Sequence, residues 1–540
     1  MKKWFIVLAA VVALGTFAGC GQSGNGTISE DNLDELKTCG YPIDTNTKLT
    51  AWSYRGGGAI GPYSNPLEYP SLTNYMEEVG VEIEWTFATA GQEKQQFNLL
   101  LSSGDLPDLI GWYWTTDTPG GVESAIRENY IANMDNLVDD YAPNFKQFLD
   151  ANPDIVRDFK TDEGHLYYVP SYVSSQSGGT PSAGYIFRQD WLDELGLPLP
   201  ETIDDWTNTL RQFRDKKGCE APLTTQASAS SLGRGLAGAF GMTLGWYHDG
   251  NGNVKFGYAE PEYKKFIETM NMWYNEGLID QNLATIDQKG MDAKMLNGKS
   301  GASFGWLTGG LGRWLDAGKE LDPDYDLVGV KFPVLNKGDM PRFTSKDAQV
   351  YMAGYAISGK SAHKELAMKV LDFGFSEAGK VFLQYGTEDE TYVIQDGMLE
   401  YTDLITNNPD GLSQAEAGQY YIRNMENIPV LKDEESYVTP SGKAFQVNKQ
   451  YNYQQQRDAY ERWGITEAPQ YNLPLLAPAD EDYGKLNADI NSFVEEMNLK
   501  FITGAEPLSN YDKFLNDLNE RGLPRLKEIM QNAYDRYLQR

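Results

Sequence analysis

The sequence predicts an α/β protein with more than one domain, and three observations support this. The chain has 540 residues, of which 41% are hydrophobic, enough for two domains with their own cores. From Leu49 to Gly111, strand-like and helix-like segments alternate, a pattern that predicts a parallel sheet covered by helices. A second alternating set begins at Ala183, and the chain after Glu481 has apolar residues at helical spacing.

The individual elements follow from local patterns. In the first set, the strand-like segments are LTAWSY, VEIEWTFA and PDLIGWYW, and the helix-like segments between them are SLTNYMEEVG and QEKQQFNLLLSSG. In the second set, Thr202 is the predicted N-cap of a helix because acidic residues follow it in the first turn. A strand is predicted at GASFGWL, and the DGNGN segment from Asp249 predicts the turn of a hairpin.

The N-terminus has the layout of a secretion signal. Two lysines precede an apolar run from Trp4 to Leu14, and small residues then lead to Cys20. The run is too short to cross a bilayer permanently. This layout resembles a bacterial lipoprotein signal, although Phe17 stands where that motif usually has leucine. The resemblance implies that residues 1–19 are removed, that Cys20 is lipidated, and that residues 20–47 form an anchor and flexible linker.

The charge of the chain argues against polyanionic partners. With 46 Lys and Arg against 77 Asp and Glu, the formal net charge is −31, which repels nucleic acid and anionic lipid surfaces at long range. No nucleic-acid partner is therefore expected, and the only predicted link to the bilayer is the N-terminal lipid.

Several longer blocks occur along the mature chain. They are NLLLSSGDLPDLI, IFRQDWLDELGLPLPETIDDWTNTLRQF, MWYNEGLID, DFGFSEAGKVFLQYGTEDETY and KFITGAEPLSNYDKFLNDLNERGL. Together they resemble the extracellular solute-binding lipoproteins of carbohydrate ABC transporters, especially the long subfamily of Gram-positive bacteria. The resemblance implies a type II periplasmic-binding-protein fold, with two α/β lobes, hinge crossings and a ligand cleft between the lobes.

The same resemblance implies how the chain is divided. Lobe 1 is predicted to contain residues 48–177 and 329–388. Lobe 2 is predicted to contain residues 178–328 and 389–540, including a helical C-terminal region. The chain would then cross between the lobes near residues 172–183, 328–333 and 385–392.

The function that the resemblance implies is binding rather than catalysis. The protein would lie on the outer face of the cell membrane, hold an oligosaccharide by lobe closure and deliver it to the permease subunits of an ABC transporter, with no cofactor. The alternatives are a surface glycoside hydrolase, an oligopeptide-binding lipoprotein and a sensory lipoprotein. A hydrolase would need two carboxylates about 5 to 10 Å apart. Acidic residues are too abundant here for any such pair to be informative.

The candidate ligand-binding residues are mostly aromatic, because a flat ring stacks on the apolar face of a sugar while polar neighbours bond its hydroxyls. They lie where strands are expected to end or near a hinge, and open α/β sheets bind ligands beyond the carboxyl ends of their strands. For each one, packing in the core is the competing interpretation. The candidates are Trp52, Tyr54, Trp112, Trp114, Arg188, Trp246, Trp306 and Glu388.

No metal site is predicted. His165, His248 and His363 are widely separated, and the chain has no H-E-x-x-H or C-x-x-C motif. The segment from Asp249 partly matches a calcium-binding EF-hand loop, but Val254 occupies the position that needs glycine, so the hairpin is favoured.

The cysteines and one glycine-containing segment each have two possible interpretations. The cysteines Cys39 and Cys219 could pair or remain free thiols. The segment GYAISGKS from Gly354 matches the phosphate-binding loop pattern G-x-x-x-x-G-K-[ST]. A strand is expected to continue through Ile357, which leaves a turn too short to hold phosphate, with Ser361 as the N-cap of the next helix.

Overall fold

The computed structural model describes most of the chain after the predicted signal and Cys20, which lie outside the described residues. The described residues are 33–54, 65–89, 91–174, 183–227, 229–343, 349–422, 428–433, 437–438, 444–445, 453–464, 473–474 and 476–540. In these ranges no helix combines the length and the apolar character needed to cross a membrane.

The strands are numbered in chain order. They are β1 (Leu49–Ser53), β2 (Ile83–Phe87), β3 (Leu109–Trp112), β4 (Val169–Ser174), β5 (Ala183–Arg188), β6 (Leu223–Thr224), β7 (Trp246–His248), β8 (Val254–Phe256), β9 (Ala302–Trp306), β10 (Leu327–Val330), β11 (Val350–Ile357), β12 (Tyr392–Gln395), β13 (Met398–Tyr401), β14 (Leu431–Asp433), β15 (Tyr437–Val438) and β16 (Ala444–Phe445).

The helices are numbered in the same way. They are α1 (Leu33–Thr38), α2 (Pro70–Val79), α3 (Glu93–Ser103), α4 (Trp114–Asp117), α5 (Val122–Arg127), α6 (Asp135–Tyr141), α7 (Pro143–Ala151), α8 (Pro153–Val156), α9 (Gln189–Leu195), α10 (Ile203–Lys217), α11 (Pro261–Asn275), α12 (Gln288–Leu296), α13 (Arg313–Leu321), α14 (Lys364–Asp372), α15 (Glu377–Tyr385), α16 (Asp403–Thr406), α17 (Gln414–Ala417), α18 (Gln454–Trp463), α19 (Tyr483–Thr503), α20 (Tyr511–Glu520) and α21 (Leu523–Gln539). Segments of π-helix occur at Ala229–Ala237, Leu307–Gly312 and Gly418–Ile422.

The first lobe is built on a six-stranded sheet in the order β14-β4-β11-β3-β1-β2. Strands β1, β2 and β3 pair in parallel, as their alternation with helices predicts. Because successive side chains point to opposite faces of a strand, Leu109 enters one core cluster and Ile110 enters the cluster on the other face.

The second lobe has a four-stranded sheet in the order β10-β5-β9-β6. Here the prediction of a parallel sheet is wrong, because only β6 and β9 pair in parallel while β5 is antiparallel to both its neighbours. The reason is the chain path. Strand β5 begins at the end of the sheet where the chain arrives from the first lobe, whereas its neighbours β9 and β10 end there, so β5 runs opposite to both.

The chain passes between the lobes on the side of each sheet where certain strands begin or end. We call this side the crossing edge. In the first sheet, β1, β3 and β4 end at the crossing edge and β11 begins there. In the second sheet, β5 begins at the crossing edge, whereas β9 and β10 end there. Only eight residues separate β4 from β5, so the two crossing edges are linked by a short connection.

The predicted lobe boundaries differ from the structure in three places. Residues 33–47 are not all linker, because α1 is folded and Leu36 and Ile43 are buried in the core of the first lobe. The second crossing comes after Phe343 rather than near 328–333, since that ring is buried in the core of the second lobe. Residues 389–433 were assigned to lobe 2 but belong with the first sheet, because β14 pairs with β4 there, so the third crossing follows Asp433.

Several local predictions can be compared with the structure. Thr202 caps α10 in a complete capping box with Asp205, and the turn from Asp249 joins β7 to β8 as a hairpin, so both predictions are confirmed. The two cysteines are free; Cys219 is buried in the second core, and this burial raises the pKa of its thiol to about 12. The two thiols cannot pair because Cys39 packs against the core of the other lobe.

The GYAISGKS segment is a strand end followed by a tight turn. Strand β11 continues through Ile357, as expected. The helix that follows starts at Lys364 with His363 as its N-cap, so the prediction of Ser361 as the cap is wrong. Instead, Ser361 Oγ donates a hydrogen bond to Asp108 Oδ1 at 2.6 Å and accepts one from the His363 amide at 2.9 Å. The Ser361 hydroxyl is thus engaged in the turn before the helix begins.

Candidate functional site

A cluster of aromatic rings lies at the crossing edge of the first sheet. Trp52 near the end of β1 and Trp112 at the end of β3 have ring centroids 5.7 Å apart. Phe97 of α3 stacks on Trp112 at 4.4 Å, and Tyr54 meets the same tryptophan edge-on at 5.2 Å. The two rings meet because β1 and β3 are parallel neighbours in the sheet, so their carboxyl ends share one edge.

These rings are largely withdrawn from solvent. Trp114 is fully buried, and its Nε1 donates a hydrogen bond to the carbonyl of Ile110 at 3.1 Å. Burial also raises the pKa of the Tyr54 hydroxyl well above its usual range, an effect to which Tyr113 adds. Trp112 Nε1 is buried as well, and it has no acceptor among the described residues.

Trp306 has a different environment, at the crossing edge of the second sheet. It is the last residue of β9 and pairs with Ala183, the first residue of β5. Its side chain is 47% exposed, and it is the only aromatic residue among the exposed large hydrophobic residues of the described chain. Single exposed apolar residues are common on protein surfaces, so the feature that distinguishes Trp306 is its position at the crossing edge.

Arg188 does not lie at the crossing edge. It ends β5, and because β5 begins at the crossing edge, its last residue lies at the opposite end of the second sheet. Its guanidinium makes a bidentate pair with Asp190, with Nε to Oδ1 at 2.8 Å, and stacks between the rings of Trp191 and Tyr325. This buried arginine therefore has its charge and both faces occupied by the second lobe itself.

Trp246 and Glu388 are each part of a hairpin region. Trp246 belongs to the β7–β8 hairpin, where it packs on Phe256 at 4.6 Å. Its half-buried side chain contacts the periphery of the second core. Glu388 lies in the turn between α15 and β12 and forms a β-bridge with Tyr392. Neither residue shares an element with the aromatic cluster or with Trp306.

Polar side chains of both lobes face one another across a narrow gap. The first-lobe side of the gap is Gln414 and Ala415 of α17, and the second-lobe side is Thr308, Gly312, Arg313, Asp316 and Gln456. The segment after α17 is fixed to the first lobe because Tyr420 packs edge-on against Tyr69 at 5.3 Å.

The second-lobe side of this gap is preorganised. Arg313 Nη2 lies 2.6 Å from Asp292 Oδ1, and Gln456 Nε2 donates to the carbonyl of Leu307 at 2.8 Å. Asp316 accepts a hydrogen bond from the Tyr453 hydroxyl at 2.7 Å, while burial raises the pKa of this carboxyl.

The chain matches a known family. The family model described as bacterial extracellular solute-binding protein matches residues 61–381, which is more than half of the chain. The chain belongs to this family of bacterial extracellular solute-binding proteins.

Two relatives match this chain over almost their full length. The fructooligosaccharide ABC transporter substrate-binding protein FusA of Streptococcus pneumoniae is 24% identical, covering 99% of this chain and 98% of FusA. Lipoprotein LipO of Bacillus subtilis is 22% identical, covering 99% of this chain and 98% of LipO.

Solved structures show the same fold. The alginate-binding protein AlgQ2 in its calcium-free form gives a TM-score of 0.72 at 22% identity, covering 91% of this chain and 99% of AlgQ2. The FusA complex with kestose gives a TM-score of 0.68 at 20% identity, covering 91% of this chain and 99% of FusA. The predicted type II two-lobe α/β fold is confirmed.

Several residues near the edges of the two lobes could not be identified as site residues from the sequence. Phe97 carries no signal of its own because it looks like any apolar residue of an amphipathic helix. Tyr351 and Lys432 come from neighbouring parts of the first sheet, and the Lys432 ammonium lies over the Tyr351 ring at 4.6 Å. Gln414 and Gln456 meet only through tertiary packing, so no local pattern could have indicated them.

Proposed function

We propose that this chain captures an oligosaccharide outside the cell by closure of its two lobes and delivers it to an ABC permease. Family membership supports extracellular solute binding, and FusA and the multiple sugar-binding protein of Streptococcus mutans, both among its relatives, are named for sugars. The observation that carries the proposal is the exposed ring of Trp306 at the crossing edge of the second sheet, linked to the edge that bears the aromatic cluster.

The chemistry of the two edges suits a sugar. A half-exposed indole offers a flat apolar face for stacking on a pyranose or furanose ring. The buried Nε1 of Trp112 lacks an acceptor among the described residues, and a sugar hydroxyl could accept from it. Trp306 would provide the stacking surface in lobe 2, and the cluster of Trp52, Tyr54 and Trp112, with Trp114 buried behind it, would form the wall in lobe 1.

Lobe closure is proposed because Trp306 belongs to one lobe and the aromatic cluster belongs to the other. A ligand that touches both edges binds the closed state more strongly than the open one, and this difference in affinity is what shifts the population. The polar gap between α17 and α13 supports such an arrangement, since each lobe contributes side chains that can approach one another. The proposed role is therefore binding and delivery, without catalysis.

A thermal-shift screen of the mature protein tests the ligand class. The panel would contain fructooligosaccharides, other neutral and acidic oligosaccharides, and a peptide mixture, because any ligand specific to the folded state raises its apparent stability. A shift with peptides and none with glycans would reject the carbohydrate proposal. Release of reducing sugar from the binding glycan would instead point to a hydrolase.

Replacing Trp306 with alanine is expected to weaken oligosaccharide binding about 10- to 30-fold, or roughly 1.5–2 kcal/mol, because a stacking surface is removed. The ring is 47% exposed, so the melting temperature of the unliganded protein should change little. Isothermal titration calorimetry with the ligand from the screen measures the change.

The control for Trp306→Ala is Leu321→Ala, which removes an exposed apolar side chain from the end of α13 and should leave affinity unchanged. The variant Trp306→Phe retains a ring and should recover part of the lost affinity. Equal affinities of the parent and Trp306→Ala would exclude this residue from the site.

We also propose that the protein is held at the outer face of the membrane through a lipid on Cys20, as the signal layout predicts and as the name of LipO suggests for that relative. Cys20→Ala is expected to move most of the protein from the membrane fraction to the medium, because the lipid is the only proposed anchor. Immunoblots of both fractions measure this, with Cys39→Ala as the matched control that should stay attached. Retention of Cys20→Ala at the membrane would contradict lipid anchoring.

A further inference from the structure

Three side chains that no sequence motif connects come together beside the first sheet. Glu123 lies in the first turn of α5, while Glu163 and His165 lie in the turn between the paired residues Lys160 and Leu166. Each offers one ligand atom, and these three atoms lie within 4.8 Å of one another. The geometry points to a site for one divalent transition-metal ion such as Zn²⁺. The ion would be held by Glu123, Glu163 and His165.

The state of Glu123 is the observation that indicates a cation. The residue is 5% exposed, and its Oε1 is buried with no hydrogen-bond partner among the described residues. Its Oε2 lies 3.3 Å from His165 Nδ1. A buried carboxylate oxygen without a partner costs free energy that a metal ion would remove.

The charges around the cluster lead to the same conclusion. In the described part of the chain, neither Glu123 nor Glu163 forms an ion pair with a lysine or an arginine. The adjacent Asp162 contrasts with them, because it is paired with both Arg536 and Arg540. The protein thus neutralises the aspartate of this turn and leaves the two glutamates for a cation.

The turn that carries two of the ligands is held by its own hydrogen bonds. The Thr161 amide donates to the carbonyl of His165 at 2.9 Å, and the Gly164 amide donates to the carbonyl of Thr161 at 3.0 Å. Gly164 has φ of +92°, a conformation that favours glycine. The backbone positions of Glu163 and His165 are therefore fixed before any metal binds, while the Glu163 side chain is exposed.

The donor set selects the type of metal. Imidazole nitrogen and carboxylate oxygen are both ligand types that Zn²⁺ accepts at about 2.0–2.2 Å, and three protein ligands would leave a fourth position for water. Calcium is disfavoured because it takes six to eight oxygen ligands. This position is also distinct from the hairpin turn at Asp249, whose carboxylate oxygens accept hydrogen bonds from Asn251 and Asn253 within the turn.

The proposed ion would stabilise a contact between the two lobes. The carboxylate of Asp162 pairs with Arg540 Nη2 at 2.8 Å, beyond the end of α21. Helix α21 is packed in the core of the second lobe. By tying α5 to this turn, the metal would stabilise the surface on which the C-terminal helix rests.

Metal titration of the untagged mature chain tests the site. After chelator treatment, one Zn²⁺ per chain is expected by equilibrium dialysis and by competition with a chromophoric chelator. Glu123→Gln and His165→Gln should each weaken Zn²⁺ binding by roughly 100-fold, because each removes a direct ligand. Glu163→Gln changes an exposed side chain, so it tests the site without endangering the fold. His363→Gln and Cys39→Ser are the controls that should bind Zn²⁺ like the parent.

Thermal melting separates a metal site from a structural ion pair. Zn²⁺ should raise the melting temperature of the parent but not of Glu123→Gln, while the metal-free Glu123→Gln variant should melt no lower than the metal-free parent. Binding of Co²⁺ should give a visible d–d spectrum that His165→Gln alters. The proposal is overturned if no stoichiometric Zn²⁺ is bound, if the ligand variants bind like the parent, or if Ca²⁺ binds in place of Zn²⁺.

Discussion

Replacing Trp114 with alanine should lower the free energy of unfolding of the first lobe by about 3–5 kcal/mol. The side chain is fully buried, packs edge-on against Phe97 at 5.4 Å and donates a hydrogen bond to Ile110. Its removal leaves a cavity behind the aromatic cluster and removes the hydrogen bond to Ile110. Calorimetric unfolding of the unliganded protein should show the loss as a fall of about 10 °C in the melting temperature of this lobe.

The Trp306→Ala variant provides the comparison for Trp114→Ala. Trp306→Ala removes the same side chain from a half-exposed position, so it should reduce affinity while leaving the melting temperature almost unchanged. Trp114→Ala should reduce stability first, and affinity only as far as Trp112 loses its support. A stability loss below about 1 kcal/mol for Trp114→Ala would contradict its assignment to the core.

Replacing Gly184 with alanine is expected to destabilise the second lobe by about 3 kcal/mol, because a Cβ at this position would lie 2.6 Å from Trp463 Nε1. Trp463 is fully buried at the end of α18, and its Nε1 donates to the carbonyl of Val330 at 2.9 Å. The added methyl group must displace the indole, and with it the packing of α18 on β5 and β10. Urea unfolding followed by tryptophan fluorescence measures the effect.

The matched control for Gly184→Ala is Gly309→Ala. A Cβ on Gly309 would meet nothing within 4 Å, although this glycine lies in the same lobe. Its stability should therefore stay close to that of the parent. If both variants lose the same stability, the loss comes from backbone effects of alanine rather than from the contact with Trp463.

Much of the fold could be predicted because the information is local. The strands β1 to β3 and the helices between them follow from apolar spacing, and the capping box at Thr202 follows from the residues after it. The aromatic cluster was also predictable, because Trp52 and Trp112 end neighbouring parallel strands. That these rings would be buried was not predictable, because burial depends on α3 and on Phe97 packing over them.

The predictions that were wrong concern the path of the chain between strands, which sets the strand directions and pairings. Arg188 ends a strand, as the sequence indicates, but β5 begins at the crossing edge and so carries Arg188 to the opposite end of the sheet. The segment with β14 was assigned to the wrong lobe because its pairing partner Tyr172 lies far away in sequence. Glu123 and His165 were not connected either, since 42 positions separate them.

The sequence by itself determined the family and the alternation of strands and helices in the first lobe, because each of these can be read from consecutive residues. Only the tertiary structure decided the directions of the strands, which tryptophan remains exposed, and which charged groups have partners. Those properties arise from contacts between residues distant in the chain. Trp306 is exposed because β9 ends at an edge, and Glu123 is buried beside His165 because α5 packs against a turn that the sequence places elsewhere.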